Sequence, residues 1–416
     1  MKDQMLKCPL CKYRGYFLYP HVKDRHNMTI RGFFKRWPDK EIASEAGIQA
    51  LSKRNNVATP YKRKTVPLGE VFPTLAGTGF LECPDCKGTG KEDAATTCAT
   101  CVGEGKVEDP RTVEVFDPPH PFCPSRSVNP NFYFDPDATI KVLQCMLMPA
   151  RNKLWLRGPT GCGKTDLVRQ VMIKLGRGLI TIDGHAYLKV SQLIGQPLAR
   201  EGSTHYALAG VPVALREGCT LLLNELDALN PDCLNLLKPV LDDPSSVRIQ
   251  APEHYGFDNA STLPYLEVFA HPDFRLCATS NTRGDGEGTL DYVNTYQQSI
   301  ADRRRFLLNF EMGYLPEKAE AQILMSYFPP VFDDDNDLVG GLLKAEALTL
   351  TRIANKVRTR GSECVLSTAQ LIGWAEQFLM TAKPLDAAFS AFLSQYPDDH
   401  QLSIAELIKA EVGEDA

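Results

Sequence analysis

The chain has 416 residues with 46 Lys and Arg against 51 Asp and Glu, a formal charge of −5. It is long enough for two or three domains, and no run of about 18 apolar residues occurs, which argues against a membrane-spanning helix. The balance is uneven, because residues 1–64 hold 15 basic against 5 acidic residues and the remainder 31 against 46. A basic arm suited to nucleic acid thus precedes an acidic body.

The N-terminus, Met1 to Lys7, lacks the apolar core of a secretory signal. Of the 13 cysteines, several fall in Cys-x-x-Cys pairs, a usage that points to a reducing cytoplasm and metal binding rather than to disulfides. The first pair, Cys8 and Cys11, is followed after nine residues by His21 and after four more by His26. Two thiolates and two imidazoles so spaced can converge on one tetrahedral Zn²⁺. Tyr13, Tyr16 and Phe17 are expected to form the small apolar core of this unit. It resembles short bacterial and phage two-Cys-two-His fingers. The continuation Met28 to Trp37 interleaves Arg31, Lys35 and Arg36 with Phe33, Phe34 and Trp37. Such a pattern suits phosphate and base contacts, or equally the two faces of one helix.

Glu41 to Leu51 can form a short helix, and Asn55 to Pro73 reads as a basic linker. Then come Cys83, Cys86 and Gly88-Thr-Gly90, repeated after the eleven residues between pairs as Cys98, Cys101 and Gly103-Glu-Gly105. Two such knuckles complete a closed four-thiolate zinc site, structural rather than catalytic. A redox role for the pairs is the alternative. The repeat resembles the zinc segment of DnaJ-type chaperones reduced to two knuckles; no J-domain accompanies it, so only the zinc is carried over.

Asp109 to Pro136 is Pro-rich and reads as a connector. After a helix over Ala138 to Met148, Lys153 to Leu156 is short and apolar enough for a buried strand. Gly158-Pro159-Thr160-Gly161-Cys162-Gly163-Lys164-Thr165 follows, and Asp166 to Met172 has helical spacing. The octapeptide fits the phosphate loop of nucleotide hydrolases, with backbone N–H groups around phosphate oxygens, Lys164 on the β/γ-phosphates and the Thr165 hydroxyl on Mg²⁺. ATP is the expected ligand.

Thr220 to Leu223 is a second buried strand, ending in Asn224-Glu225-Leu226-Asp227. This is the Walker B position, where an Asp serves the Mg²⁺ shell and a Glu polarises the attacking water. Here Asn224 stands where the Asp is expected, Glu225 is retained, and Asp227 is the candidate to compensate. Phe274 to Ser280 is a third strand with Asn281 at its end, able to orient water. Asp302-Arg303-Arg304-Arg305-Phe306 offers Arg303 or Arg305 as an arginine finger to a neighbouring subunit, or a basic cluster at a helix C-terminus.

Residues 153 to about 315 resemble the MoxR branch of AAA+ ATPases, and most closely the CobS subunit of aerobic cobaltochelatase. Thr181-Ile182-Asp183-Gly184-His185, Leu193-Ile194-Gly195, Gly210 to Leu215, Ala278 to Thr282 and Tyr292 to Arg303 carry that resemblance. It implies an insert over about His185 to Gly210 that projects towards substrates in a ring pore, a homo-hexameric ring, and a partner with a von Willebrand A domain. It also implies a sensor-2 Arg near Leu366-Ser367-Thr368-Ala369, where this chain has Ala; Arg358 or Arg360 can substitute. Glu317–Tyr327, Lys344–Arg358, Ser367–Met380, Pro384–Gln395 and Ser403–Val412 read as a helical lid.

The expected fold is α/β: a P-loop AAA+ parallel sheet with helices on both faces and a helical lid, preceded by two small zinc-binding modules. The domains would be a basic finger module (1–64), a four-cysteine module (65–110), a Pro-rich linker (111–136), the ATPase core (137–315) and the lid (316–416). The expected function is Mg²⁺-ATP-driven remodelling of a partner protein or complex. The alternatives are the ATPase subunit of a metal chelatase and a nucleotide-gated DNA-binding assembly protein.

Overall fold

The structure, a computed structural model, describes residues 6–15, 18–26, 35–37, 61–76, 80–82, 106–108, 111–125, 127–148, 152–200, 203–242, 246–250, 265–282, 296, 299–334, 338–359 and 365–412. Five strands build the central sheet: β1 Lys153–Arg157, β2 Leu179–Asp183, β3 Thr220–Asn224, β4 Arg275–Ser280 and β5 Leu308–Glu311. Their spatial order is β5-β1-β4-β3-β2, and every pairing is parallel. Central strands of such a sheet are covered on both faces and read as continuous apolar runs. Every residue of β4 is buried, as are four of five in β1 and in β3.

Alternation along these strands separates two cores. Trp155, Leu221, Leu223, Leu276 and Ala278 face one side, with α3 (Gly210–Glu217) and α4 (Pro231–Asp242) supplying Leu215, Cys233 and Leu237. Leu154, Leu156, Leu222 and Cys277 face the other, against Val142 of α1 (Pro136–Leu147) and Leu167 and Val171 of α2 (Lys164–Leu175). Lys153, at the start of β1, is buried and donates to the carbonyls of Leu241 and Asp242, closing the C-terminus of α4.

The lid forms a third core around Leu350, Leu371, Trp374 and Phe392. Its helices are α5 Glu317–Tyr327, α6 Lys344–Thr359, α7 Thr368–Thr381, α8 Pro384–Ala391 and α9 Asp398–Val412. The apolar spacing therefore located all five, with α9 beginning five residues earlier than expected because Asp398 and Asp399 favour a helix N-terminus.

Two expectations are corrected. Residues 111–136, read as a linker, contain a strand, Thr112–Phe116, paired antiparallel with Arg63–Pro67. Val113 and Phe134 from this region pack with Leu68, Phe72 and the α2 residues Leu167 and Met172 in one core. Alternating Val113, Val115 and Glu114, with an ion pair from Arg63 to Glu114, outweighs the proline content that suggested a connector. In the finger, the buried apolar residues are Leu18 and Val22 beside Cys8. Tyr13 is exposed, stacked 3.9 Å from the ring of His21, while Tyr16 and Phe17 lie outside the described residues. Cys83, Cys86, Cys98, Cys101 and the Glu41–Leu51 segment also lie outside them. The flanks of the four-cysteine segment, Phe80–Glu82 and Lys106–Glu108, pair antiparallel, so its two ends are side by side.

A charged cluster fastens the N-terminal strand pair to the sheet. Arg63 contacts the buried Asp273 at 2.5 Å, and the buried Arg177 donates to the Asp273 carbonyl at 2.8 Å. Beside them His120 donates through Nε2 to the Glu217 carbonyl and accepts at Nδ1 from the Phe122 N–H, which fixes it as the neutral imidazole. His271 likewise accepts at Nδ1 from the Asp273 N–H. Burial holds both imidazoles below their ordinary pKa, with Arg177 adding to the depression and Asp273 opposing it. The folded state thus binds fewer protons than the unfolded chain, so stability is full above about pH 6.5 and falls as pH drops below it. The thermal midpoint is expected to fall between pH 7.5 and 5.5, and to fall less in His120→Gln, as scanning calorimetry would measure.

Candidate functional site

The site lies at the C-terminal ends of the strands, where open α/β sheets bind ligands. Between β1 and α2 the loop Gly158–Thr165 turns through Gly158 at φ 149° and Gly161 at φ 73°. A Cβ on Gly158 would overlap the carbonyl oxygen of Met312, and one on Gly161 the Cβ of Ser367. Glycine is therefore needed twice over, for backbone conformation and for close approach, of the chain after β5 at Gly158 and of the lid at Gly161. The Lys164 ammonium lies 2.8 Å from the carbonyls of Gly158 and Pro159 and 2.9 Å from Asn281 Oδ1. Burial lowers its pKa, with Cys162, Asp227 and Glu225 opposing. Burial raises that of the Cys162 thiol, which is kept protonated and unreactive.

A chain of hydrogen bonds crosses three strand ends. Thr165 Oγ1 donates to Asn224 Oδ1 at 2.5 Å, and Thr279 Oγ1 donates to the same oxygen at 2.8 Å. Asn224 Nδ2 donates to Asp183 Oδ1 at 2.9 Å. Glu225 follows at φ 55°, ψ 53°, a left-handed conformation costing a non-glycine residue about 1–3 kcal/mol and characteristic of functional positions. Its side chain is exposed at the same strand end, and its N–H donates to Thr279 Oγ1 at 3.2 Å. The residues Lys164, Thr165, Asn224, Glu225 and Asn281, scattered over more than a hundred positions, are thus neighbours. A hydroxyl and an amide oxygen side by side, with a carboxylate next to them, form an oxygen-rich set that suits Mg²⁺. The looped N–H groups and Lys164 suit phosphate.

Asp227 does not join this set. Its Oδ2 accepts from the N–H groups of Asn281 and Thr282 and from Thr282 Oγ1, at 2.9–3.0 Å, and the residue is 1% exposed. It therefore holds the loop carrying Asn281 and is not placed to replace the Walker B carboxylate. The carboxylate beside Asn224 is Asp183, 41 positions upstream. Strand register brings it there: Asn224 pairs with Asp183 in the parallel ladder. No local spacing signals that meeting; a polar residue closing each of two neighbouring parallel strands is the nearest sequence clue.

Arg305 is bound within its own chain, to Asp242 at 2.5 and 3.2 Å and to Asp302 at 2.7 Å. Arg303 ends the short helix Ile300–Arg303 and is half-buried. Arg358, considered for the lid sensor, is 6% exposed at its side chain and forks onto Glu320 at 2.6 and 3.1 Å. It also donates to the Leu366 carbonyl and lies 3.9 Å over the Tyr314 ring. Tyr314 in turn donates to the Thr160 carbonyl of the phosphate loop at 2.8 Å. Arg358 is thus a lid brace that reaches the loop through Tyr314. Arg360 lies outside the described residues, as do Gln297 and Gln298.

Between loop and lid opens a cleft of about 280 Å³, walled by Gly161, Leu167, Met312 and Ile372 and, on the third side, by Asn129 and Tyr133. Asn129 bridges the halves: its N–H donates to Gln170 of α2 and its amide to the Tyr327 hydroxyl of α5. Sequence reasoning missed this wall because it lies in the segment read as a linker. A volume of this order, apolar with a few polar groups, suits a nucleobase.

In the finger, the ligand atoms of Cys8, Cys11, His21 and His26 lie within 4.8 Å of one another. Sγ–Nε2 separations are 3.6 Å for Cys8–His26 and 3.1 Å for Cys11–His21. Bonds of about 2.3 and 2.0 Å at the tetrahedral angle place ligand atoms about 3.5 Å apart, so the set fits Zn²⁺. The N–H groups of Leu10 and Tyr13 donate to the two sulfurs at 3.4 Å, as thiolate ligands require. Arg36 lies 5.1 Å over the Trp37 ring, and Trp37 packs on the finger core; Arg31, Phe33 and Phe34 lie outside the described residues. Among the described residues no helix is long and apolar enough to cross a membrane.

The AAA domain of the dynein-related subfamily matches residues 153–294, from the start of β1 to beyond β4. The chain is 28% identical over 250 residues to protein NorQ of Paracoccus denitrificans, a match covering 59% of this chain and 81% of that one. It is 26% identical over 256 residues to the aerobic cobaltochelatase subunit CobS of Sinorhizobium sp, covering 60% and 71%. With the gas vesicle ATPase GvpN of Haloferax mediterranei it shares 24% identity over 267 residues, covering 59% and 70%. This part of the chain is an AAA+ ATPase of the MoxR type, and a CobS-like kind fits it.

The Arg358–Glu320 pair provides a test of the lid brace. Glu320→Ala leaves a buried guanidinium without its carboxylate and is expected to destabilise the lid by about 3–5 kcal/mol. Urea denaturation would measure it, and the added change Arg358→Met should recover part of the loss.

Proposed function

We propose that the chain is the motor of a Mg²⁺-ATP-driven homo-hexameric ring that remodels a partner protein or complex, with its N-terminal zinc modules recruiting the substrate or a nucleic acid. The observation that carries this reading is the direct seating of the lid on the phosphate loop, with Ser367 against Gly161 and Arg358 reaching Thr160 through Tyr314. In this scheme a ligand that shifts the loop shifts this contact with it, and nucleotide state becomes lid position. ATP would lie along Gly158–Thr165, its phosphates on the loop N–H groups and Lys164, its base in the cleft beside Asn129. Mg²⁺ would sit against Thr165 and Asn224. Bound there, it supplies Lewis-acid stabilisation of phosphate charge.

In this scheme Glu225 accepts the proton of the attacking water, and Asn281, 2.9 Å from Lys164 in the structure, orients that water. Arg303 or Arg305 would act on the neighbouring subunit's γ-phosphate. The segment between β2 and α3 would meet the substrate. It folds as a short helix, Val190–Ile194, and a hairpin, Gly195–Arg200 with Ser203–Leu208, and it carries Tyr187 at 87% exposure. A von Willebrand A protein is the proposed partner.

Zn²⁺ on Cys8, Cys11, His21 and His26 would hold the finger, whose apolar core is too small to fold alone. A second Zn²⁺ on Cys83, Cys86, Cys98 and Cys101 would hold the segment between the paired flanks.

Lys164→Ala should lose nucleotide binding, whereas Glu225→Gln should bind ATP and fall at least about 100-fold in turnover. A Glu225→Gln form that hydrolyses normally, or that stays monomeric with ATP, would sink the proposal. Proteins captured by it would name the partner. Elemental analysis should find two zinc ions per chain, one of them lost in Cys8→Ser.

A further inference from the structure

The substitution at Walker B leaves a charge to be accounted for. Asn224 offers the divalent cation an amide oxygen beside the Thr165 hydroxyl, and both are neutral. The amide has one orientation available: two hydroxyls, Thr165 and Thr279, donate to its oxygen, while its nitrogen must face an acceptor. Asp183 is that acceptor, at 2.9 Å. The Gly184 N–H donates to the Asn224 carbonyl at 2.7 Å, fixing the end of β2 against the end of β3. Asp183 is exposed at the C-terminal end of β2, and a carboxylate has about four lone-pair sites, so one bond to Asn224 leaves it acceptor capacity.

We propose that Asp183 supplies the negative charge of the magnesium site that Asn224 lacks, so that the carboxylate has moved one strand outward while the amide relays its position to Thr165. Asp183 is then a positioning residue. It orients Asn224 Oδ1 towards the cation and places a unit charge behind it, as carboxylates behind metal ligands do elsewhere. The proposal rests on the assignment of Thr165 and Asn224 to the cation above.

The test uses Mn²⁺ as the probe, titrated into the full chain with ADP and read by electron paramagnetic resonance. Asp183→Asn should weaken Mn²⁺ binding about 10- to 100-fold, while ADP affinity in EDTA stays within about twofold of the parent. The exchanged pair, Asp183→Asn with Asn224→Asp, returns the carboxylate to the central strand and should restore Mn²⁺ affinity to within about threefold. Unchanged Mn²⁺ affinity in Asp183→Asn would overturn the proposal. So would equal loss of ADP affinity in EDTA, which marks a structural defect, or a swap variant as weak as the single one. If the parent chain with ADP holds no more Mn²⁺ than Lys164→Ala does, the cation-site assignment itself fails.

Discussion

The backbone of the phosphate loop touches the lid at Gly161 and the chain just after β5 at Gly158, with no room for a side chain at either position. Everything functional in the ATPase part hangs on that contact. It makes the loop a shared surface of two cores that are otherwise separate, one under the sheet and one inside the lid. A buried ion pair, Arg358 with Glu320, stiffens the lid side, and the Tyr314 hydroxyl carries the connection to Thr160. Buried pairs are weak contributors to net stability yet costly to break. That suits a brace whose task is to keep one geometry.

The strand pair that precedes α1 is joined to this machine more firmly than the proline content around it suggests. Arg63–Pro67 and Thr112–Phe116 form a strand pair whose inner residues belong to the same core as α2. Arg63 reaches Asp273, just ahead of β4. Through the hairpin Phe80–Glu82 and Lys106–Glu108, the four-cysteine segment starts and ends close to that strand pair in sequence. Asn129, further along, ties α2 to the lid. What reads as a spacer is the third wall of the cleft between loop and lid.

At the strand ends, three polar positions divide the labour that one Asp-Glu pair usually suggests. Asp227 is committed to the backbone of Asn281 and Thr282. Asn224 gathers the hydroxyls of Thr165 and Thr279, and Asp183 faces its amide nitrogen. The left-handed backbone at Glu225 sets that side chain apart from the ladder it follows.

The sequence by itself determined the elements and the phosphate loop. Period-2 and 3.6-residue apolar patterns act between near neighbours, so β1, β3, β4 and the five lid helices were legible within a few residues. Loop spacing is equally local, which is why Gly158–Thr165 and the Cys8–His26 cluster could be read directly. Only the tertiary structure decided which polar groups meet. Asp183 reaches Asn224 through parallel register, Arg358 is turned to Glu320 by lid packing, and Arg305 is held by Asp242 from a distant helix. It also decided that residues 111–136 belong to the core. Contacts between strands and layers depend on crossover connections and burial summed over the whole domain, and no window of the sequence contains them.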